Sequence, residues 1–298
     1  MIESSNNFAE RPLFNLTEGG PGAAALRRLH LMSPGLGAGS ARTAWVLATL
    51  AWTPLAVLSV LGGVAIGGTQ IPFFKDIAAH VRFLVAVPVL MLAEKPIGIR
   101  LRELGRHFLD AGLVSAVELP RFASIVQKSV QMRDSRTAEL SLLALTYVTT
   151  AYVFSISPAK DLKSTWRLPI PGRGISAAGY WYLLIALPIF QFLVYRWAYR
   201  MVIWMRYLGG IASLDLRLTP VHPDRAAGLG FLGKGLVPFG TILFALSAVA
   251  ASVIAVQILF ADAKLESFTY AYAALVIVAL LIRANATLTP WSSWPSGR

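Results

Sequence analysis

The sequence predicts an all-α bundle of about six membrane-spanning helices, with an amphipathic helical hairpin outside the bilayer. Three observations lead there. Of 298 residues, 56% are hydrophobic and only 14% charged, with a mean hydropathy of +0.61; a soluble domain is about 45–50% apolar and about 25% charged. Six apolar stretches, near 44–66, 77–96, 140–157, 179–205, 236–260 and 267–288, are each of the order of the ~20 residues that carry a helix across a ~30 Å hydrocarbon core. Of the 27 Lys and Arg residues, this threading leaves only Lys75, Arg82, Lys160, Lys163, Arg167, Arg173 and Lys264 on one side. Lys and Arg near span ends accumulate on the cytoplasmic side, so both termini are expected inside. The loops are too divided to hold a second large domain.

Residues 1–43 mix Ser, Asn, Gly and Pro with few apolar pairs, the composition of a flexible tail, with room for a short interfacial helix near 23–30. No cleavage-type leader precedes the first apolar run, so span one is expected as a retained anchor. Span one is uncharged and carries Pro54 at its middle. Span two has an uncharged run of only eleven residues, Phe83–Ala93, between Arg82 and Glu94. One or both charges must therefore sit in or near hydrocarbon, unless the segment is re-entrant. The 97–139 connection reads as two helices. Ile97, Leu101, Leu104 and Phe108 recur at helical spacing, Gly112 suits a C-terminal cap, and Ser115 and Glu118 have capping-box spacing ahead of Pro120. Phe122, Ile125, Val126, Ser129 and Val130 continue one face of the second helix.

Span three is rich in hydroxyls: Thr146, Tyr147, Thr149, Thr150 and Tyr152. Span four begins with Tyr180, Trp181 and Tyr182 and ends among Tyr195, Trp197, Tyr199 and Trp204, which read as interfacial aromatic belts. Span five carries the small-residue stripe Thr241, Ala245, Ala248, Ser252 and Ala255, which predicts a central, closely packed helix. No internal repeat is legible. Residues 44–288 thus form one membrane domain and 289–298 a short C-terminal tail.

The densest motif lies in the 213–235 loop. Gly228, Gly230 and Gly233 satisfy the dinucleotide fingerprint, but Pro220 and Pro223 precede them and no βαβ unit exists to use it. Gly233-Lys234 approaches a phosphate loop, but Gly235 stands where a hydroxyl must hold Mg²⁺. His222 and Asp224 supply at most two metal ligands where zinc takes three or four. The glycines read as a turn that re-enters the membrane. No cofactor is expected. Zero cysteines exclude disulfides and thiolate sites. The net charge of +12 clusters beside spans, which points to anionic head groups at the cytoplasmic face rather than nucleic acid.

The stretch from Leu214-Asp215-Leu216-Arg217 through His222-Pro223-Asp224-Arg225 to Gly228-Leu229-Gly230-Phe231-Leu232-Gly233, together with the run from Arg82 to Glu94, resembles an uncharacterised family of bacterial polytopic inner-membrane proteins. The resemblance implies a bacterial inner membrane and brings no established activity.

Ionisable groups at membrane depth are costly, about 2.5–3.5 kcal/mol each, and so face protein or water. The candidate functional residues are Arg82, Glu94, Arg196, Arg200, Asp215, His222, Asp224 and Arg225. Arg196 and Arg200 share a face near the inner end of span four. They can bind anionic lipid, pair with Glu94 or Asp215, or line a substrate path. Two functional classes follow: a small-solute or ion transporter or channel, and a sensor, scaffold or assembly subunit, with a homo-oligomer or another membrane protein as partner. No clustered acid–base or metal set supports an enzyme.

Overall fold

The computed structural model describes residues 15–17, 19–22, 24, 41–155, 164–168, 174–218, 228–235 and 237–269, with Ala273, Ile277 and Leu280. It is an all-helical bundle. Five of its helices are long and apolar enough to cross a membrane. We number the helices α1 (Ala41–Leu61), α2 (Ile77–Asp110), α3 (Leu119–Arg133), α4 (Arg136–Ser155), α5 (Ala177–Ala212) and α6 (Gly240–Ala261). Most of the sixth apolar stretch, 267–288, lies outside the described residues. Its described members Ala273, Ile277 and Leu280 are helical and exposed.

Span two runs as one helical path that is long enough to cross a membrane. At 34 residues, α2 is about 51 Å long, and the 36 residues of α5 reach about 54 Å. Both exceed the ~30 Å hydrocarbon core, so each extends well beyond it. The first helix of the expected hairpin is therefore the continuation of α2, broken only at Ala93. Pro96 is the reason for the break: it has no N–H for the Leu92 carbonyl and its ring crowds that turn. Ile97, Leu101, Leu104 and Phe108 form the buried face of this extension, as their spacing predicts. Gly112 ends it at φ +65°, a conformation open to glycine at no cost. The expected capping box does not form. Glu118 itself is the N-cap of α3 and makes no side-chain cap bond, because its carboxylate pairs with Arg121 at 3.1 Å. Helix α3 lies along the protruding part of α5, where a Cβ on Gly210 would sit 2.9 Å from the Ile125 side chain.

The centre of the bundle is α2, with 56% of its most apolar window buried, against 28% for the α6 span. Helix α6 touches mainly the first half of α2. The small-residue stripe therefore seats Ala245 and Ser252 against α2, but it does not make this helix central. Helix α1 lies against α2 and the beginning of α5, and α4 lies against α5.

A 100-residue repeat is present in the backbone, and Leu84, Ala86 and Pro88 recur in it as Leu184, Ala186 and Pro188. The Asp76 side chain accepts from the Ala79 amide to cap α2, and the Ser176 side chain accepts from the Gly179 amide to cap α5. One turn later each helix widens into a π-helical stretch, at Val81–Ala86 and at Tyr182–Ala186. Pro88 and Pro188 follow at the same offset. Each proline leaves the carbonyl four residues back without its amide, and a π turn relieves the clash. In α5 the released Leu184 carbonyl accepts from the Tyr147 hydroxyl of α4 at 3.3 Å. The two long helices meet at the same level, where Arg82 Nη1 donates to the Tyr182 hydroxyl at 2.6 Å.

Candidate functional site

The break at Ala93 puts Glu94 in the first turn of the α2 extension, with its side chain 1% exposed. Arg196 and Arg200, one turn apart on α5, face it. Arg200 Nη1 donates to Glu94 Oε1 at 2.8 Å, and Arg196 Nη1 lies 3.6 Å from the same oxygen. Glu94 Oε2 is buried without a hydrogen-bond partner among the described residues. Below the pair, Trp197 donates its indole N–H to the Leu90 carbonyl at 2.9 Å, and the Arg200 guanidinium lies 5.0 Å from the Trp197 ring. Two guanidiniums one turn apart repel each other, so the carboxylate between them is what allows both to be buried.

The expectation of a flexible tail over 1–43 does not describe Asn15–Thr17, which are buried against this cluster. The Thr17 carbonyl accepts from Arg200 Nη2 at 3.4 Å, and the Asn15 carbonyl accepts from Arg133 Nη1 at 2.5 Å. A Cβ on Gly98 of α2 would occupy the place of the Thr17 hydroxyl. Further along, the Gly20 amide donates to Asp134 Oδ1 at 2.8 Å, and the Gly22 amide donates to both oxygens of Glu139 at 2.8–2.9 Å. This N-terminal strap crosses the end of α3, the start of α4 and the Arg200 turn of α5. Beside it lies a cleft of about 30 Å³, room for about two waters, lined by Gly19, Gly20, Arg133, Glu139, Arg196 and Arg200, among others.

Of the residues expected to matter, the structure brings Glu94, Arg196 and Arg200 together. Asp215 is not their partner: it is exposed beyond the end of α5. Arg82 stands twelve residues, about 18 Å, along α2 from Glu94 and belongs to a different cluster. His222, Asp224 and Arg225 lie outside the described residues. Arg133, Glu139 and the strap were not identified from sequence. Glu139, an acid in the first turn of an apolar span, was the available signal. The Asn15-Leu16-Thr17 stretch carries no periodicity that would mark it as buried.

Thr146, Tyr147, Thr149 and Thr150 of α4 bond to α5 or to their own helix. Thr150 donates to Gln191 Oε1 at 2.7 Å, Tyr195 donates to Thr149 at 2.9 Å, and Thr146 donates back to the Leu142 carbonyl at 2.8 Å.

Strap attachment has a pH signature. Burial raises the Asp134 carboxyl, but the hydrogen bond and charge of Arg133 and the Gly20 amide outweigh it and hold the group below its ordinary range. A depressed carboxyl contributes stability that is complete above its unfolded value near 3.9 and is lost as pH falls through the lower folded value. The protection factor of the Gly20 amide, corrected for its intrinsic rate, is therefore expected to be high at neutral pH and to fall on acidification below about pH 4. Asp134→Asn should give faster exchange already at neutral pH. Unchanged protection in that variant would mean that Asp134 does not hold the strap.

No protein-family model, curated protein or solved structure matches the chain.

Proposed function

We propose that this multi-pass membrane protein is a docking or assembly subunit that moves no solute. We further propose that both termini and the protruding α2–α3 hairpin lie on the cytoplasmic side of a bacterial inner membrane, where basic residues meet anionic head groups. One observation carries the reading: the polar side chains of the α4–α5 seam and of the Glu94 cluster each hold a partner across a helix interface. Glu94 holds Arg196 and Arg200, Gln191 holds Thr150, Tyr195 holds Thr149, and Tyr147 reaches the carbonyl that Pro188 releases. A transport path needs polar groups that face water and exchange partners with a solute. The hydroxyl-rich α4 here forms a structural seam with α5. Around that seam the outer surface of α4 is apolar, with Leu140, Leu143, Val148 and Val153 exposed.

Reconstitution gives the test. Proteoliposomes containing the purified chain, loaded with potassium salt and an anionic dye, should lose neither faster than protein-free vesicles, with or without a membrane potential. Protein-dependent efflux that Gln191→Leu or Glu94→Gln changes would restore the transporter reading.

A further inference from the structure

The end of the bundle that carries both helix caps holds a second charged cluster. Arg82 in the π-helical stretch of α2 donates to the Tyr182 hydroxyl, and its Cζ lies 5.9 Å from that ring. Arg167, from the loop before α5, places its own Cζ 4.8 Å from the same ring. The two guanidiniums are therefore at most about 11 Å apart. The carboxylate of Asp76 is the acid that reaches this group among the described residues, and it is already in use. Its Oδ1 accepts from the Ala79 amide at 3.1 Å, and its Oδ2 accepts from the Trp166 indole at 2.8 Å and from Arg167 at 3.3 Å. Arg82 makes no ion pair among the described residues.

The donors here exceed the acceptors. Arg82 Nε, Arg167 Nε and Trp181 Nε1 are each buried without a hydrogen-bond partner among the described residues. Folded proteins leave few such groups, and each calls for an explanation. Two of them, on Arg82 and Arg167, belong to side chains that meet at Tyr182 and leave two cations facing one occupied acid. Neither arginine is sealed off. Arg82 is only partly buried, and the Arg167 side chain is 23% exposed. Arg82 also lies only six residues past the α2 cap, about 9 Å along the axis, within snorkelling reach of the head-group level. π turns recur at functional sites, and this one holds Arg82 on one helix and Tyr182 on the other.

We propose that Arg82 and Arg167, both against the Tyr182 ring, form a site for a phosphate group, with Tyr182 holding the two guanidiniums in place. Guanidinium forks match phosphate oxygens in pairs, and a bound phosphate supplies the acceptors and the negative charge that the cluster lacks. The phosphate can belong to a phospholipid head group or to free inorganic phosphate.

The experiment uses the purified full chain, stripped of lipid in a maltoside detergent. Its melting temperature is recorded with millimolar inorganic phosphate, with short-chain phosphatidylglycerol, and with chloride at matched ionic strength. A rise over chloride is expected. If phosphate alone gives it, the ligand is the free anion; if only the lipid does, it is the head group. Arg82→Gln and Arg167→Gln should each weaken the apparent affinity roughly tenfold or more, the loss of one charge-assisted fork. Without ligand, Arg82→Gln should melt no lower than the parent, because it removes an unneutralised charge. If Arg82→Gln does not fold, Arg167→Gln carries the test from its partly exposed loop. No rise with either ligand overturns the proposal, as does a rise that persists undiminished in Arg167→Gln.

Discussion

Glu94→Gln is expected to lower the melting temperature in detergent by on the order of 5–10 °C, the consequence of about 3 kcal/mol lost. The wild-type carboxylate is 1% exposed and neutralises Arg200 at 2.8 Å while Arg196 stands 3.6 Å away. The amide can still accept a hydrogen bond, so the loss is one of charge: two guanidiniums one turn apart remain buried without their counter-ion. Removing one partner of a buried pair costs ~3–5 kcal/mol because the other is stranded. Arg200→Gln added to Glu94→Gln should therefore recover part of the loss. The double-mutant cycle on melting temperature reads this coupling directly. Additive effects would mean that the two side chains do not stabilise each other. The Thr17 carbonyl loses its Arg200 contact in the double variant, so recovery should be incomplete.

Trp197→Ala should be comparably damaging, at about 3 kcal/mol or more. The ring is 2% exposed, bonds the Leu90 carbonyl across the α2–α5 interface, underlies Arg200, and meets Phe239 edge-on at 6.3 Å. In a bilayer the hydrophobic effect does not drive helices together, so the loss is one of packing and of the interhelical hydrogen bond. Trp197→Phe keeps most of the volume and loses the N–H, so it should cost about 1 kcal/mol. Equal losses in the two variants would show that the hydrogen bond, and not the packed ring, accounts for the stability.

These effects arise where the sequence was most informative. Hydropathy locates the five described spans because an apolar run of ~20 residues has few alternatives to crossing a bilayer. The short uncharged run Phe83–Ala93 already places Arg82 or Glu94 in or near hydrocarbon, and helical spacing puts Arg196 and Arg200 on one face, but it leaves lipid, Glu94, Asp215 and a substrate path open as what they meet. The partner of Arg82 was out of reach because it is a tyrosine hydroxyl 100 positions away. The repeat escaped for a related reason. Asp76 and Ser176 cap in the same way through different side chains and π turns leave no periodic trace, so only the short Leu-x-Ala-x-Pro run at 84–88 and 184–188 carries it in the letters, among apolar residues common to any span. The strap is illegible because only tertiary contacts with Arg133, Asp134 and Glu139 make a short polar stretch a buried one. The placing of α6 went wrong for the opposite reason. A small-residue stripe permits close approach, but it does not say how many neighbours will make use of it.

Water access to Thr150 tests the closed polar interior most directly. Thr150 is buried against Gln191 in the second half of α4, and the chain has no cysteine of its own. Thr150→Cys should remain unmodified by a small charged thiosulfonate added from either side of intact, folded vesicles. In the same preparations Ser115→Cys should react only from the cytoplasmic side and Ser164→Cys only from the opposite one, which fixes the orientation. Rapid modification of Cys at position 150 from either side would reveal a hydrated path through the α4–α5 seam and contradict the account.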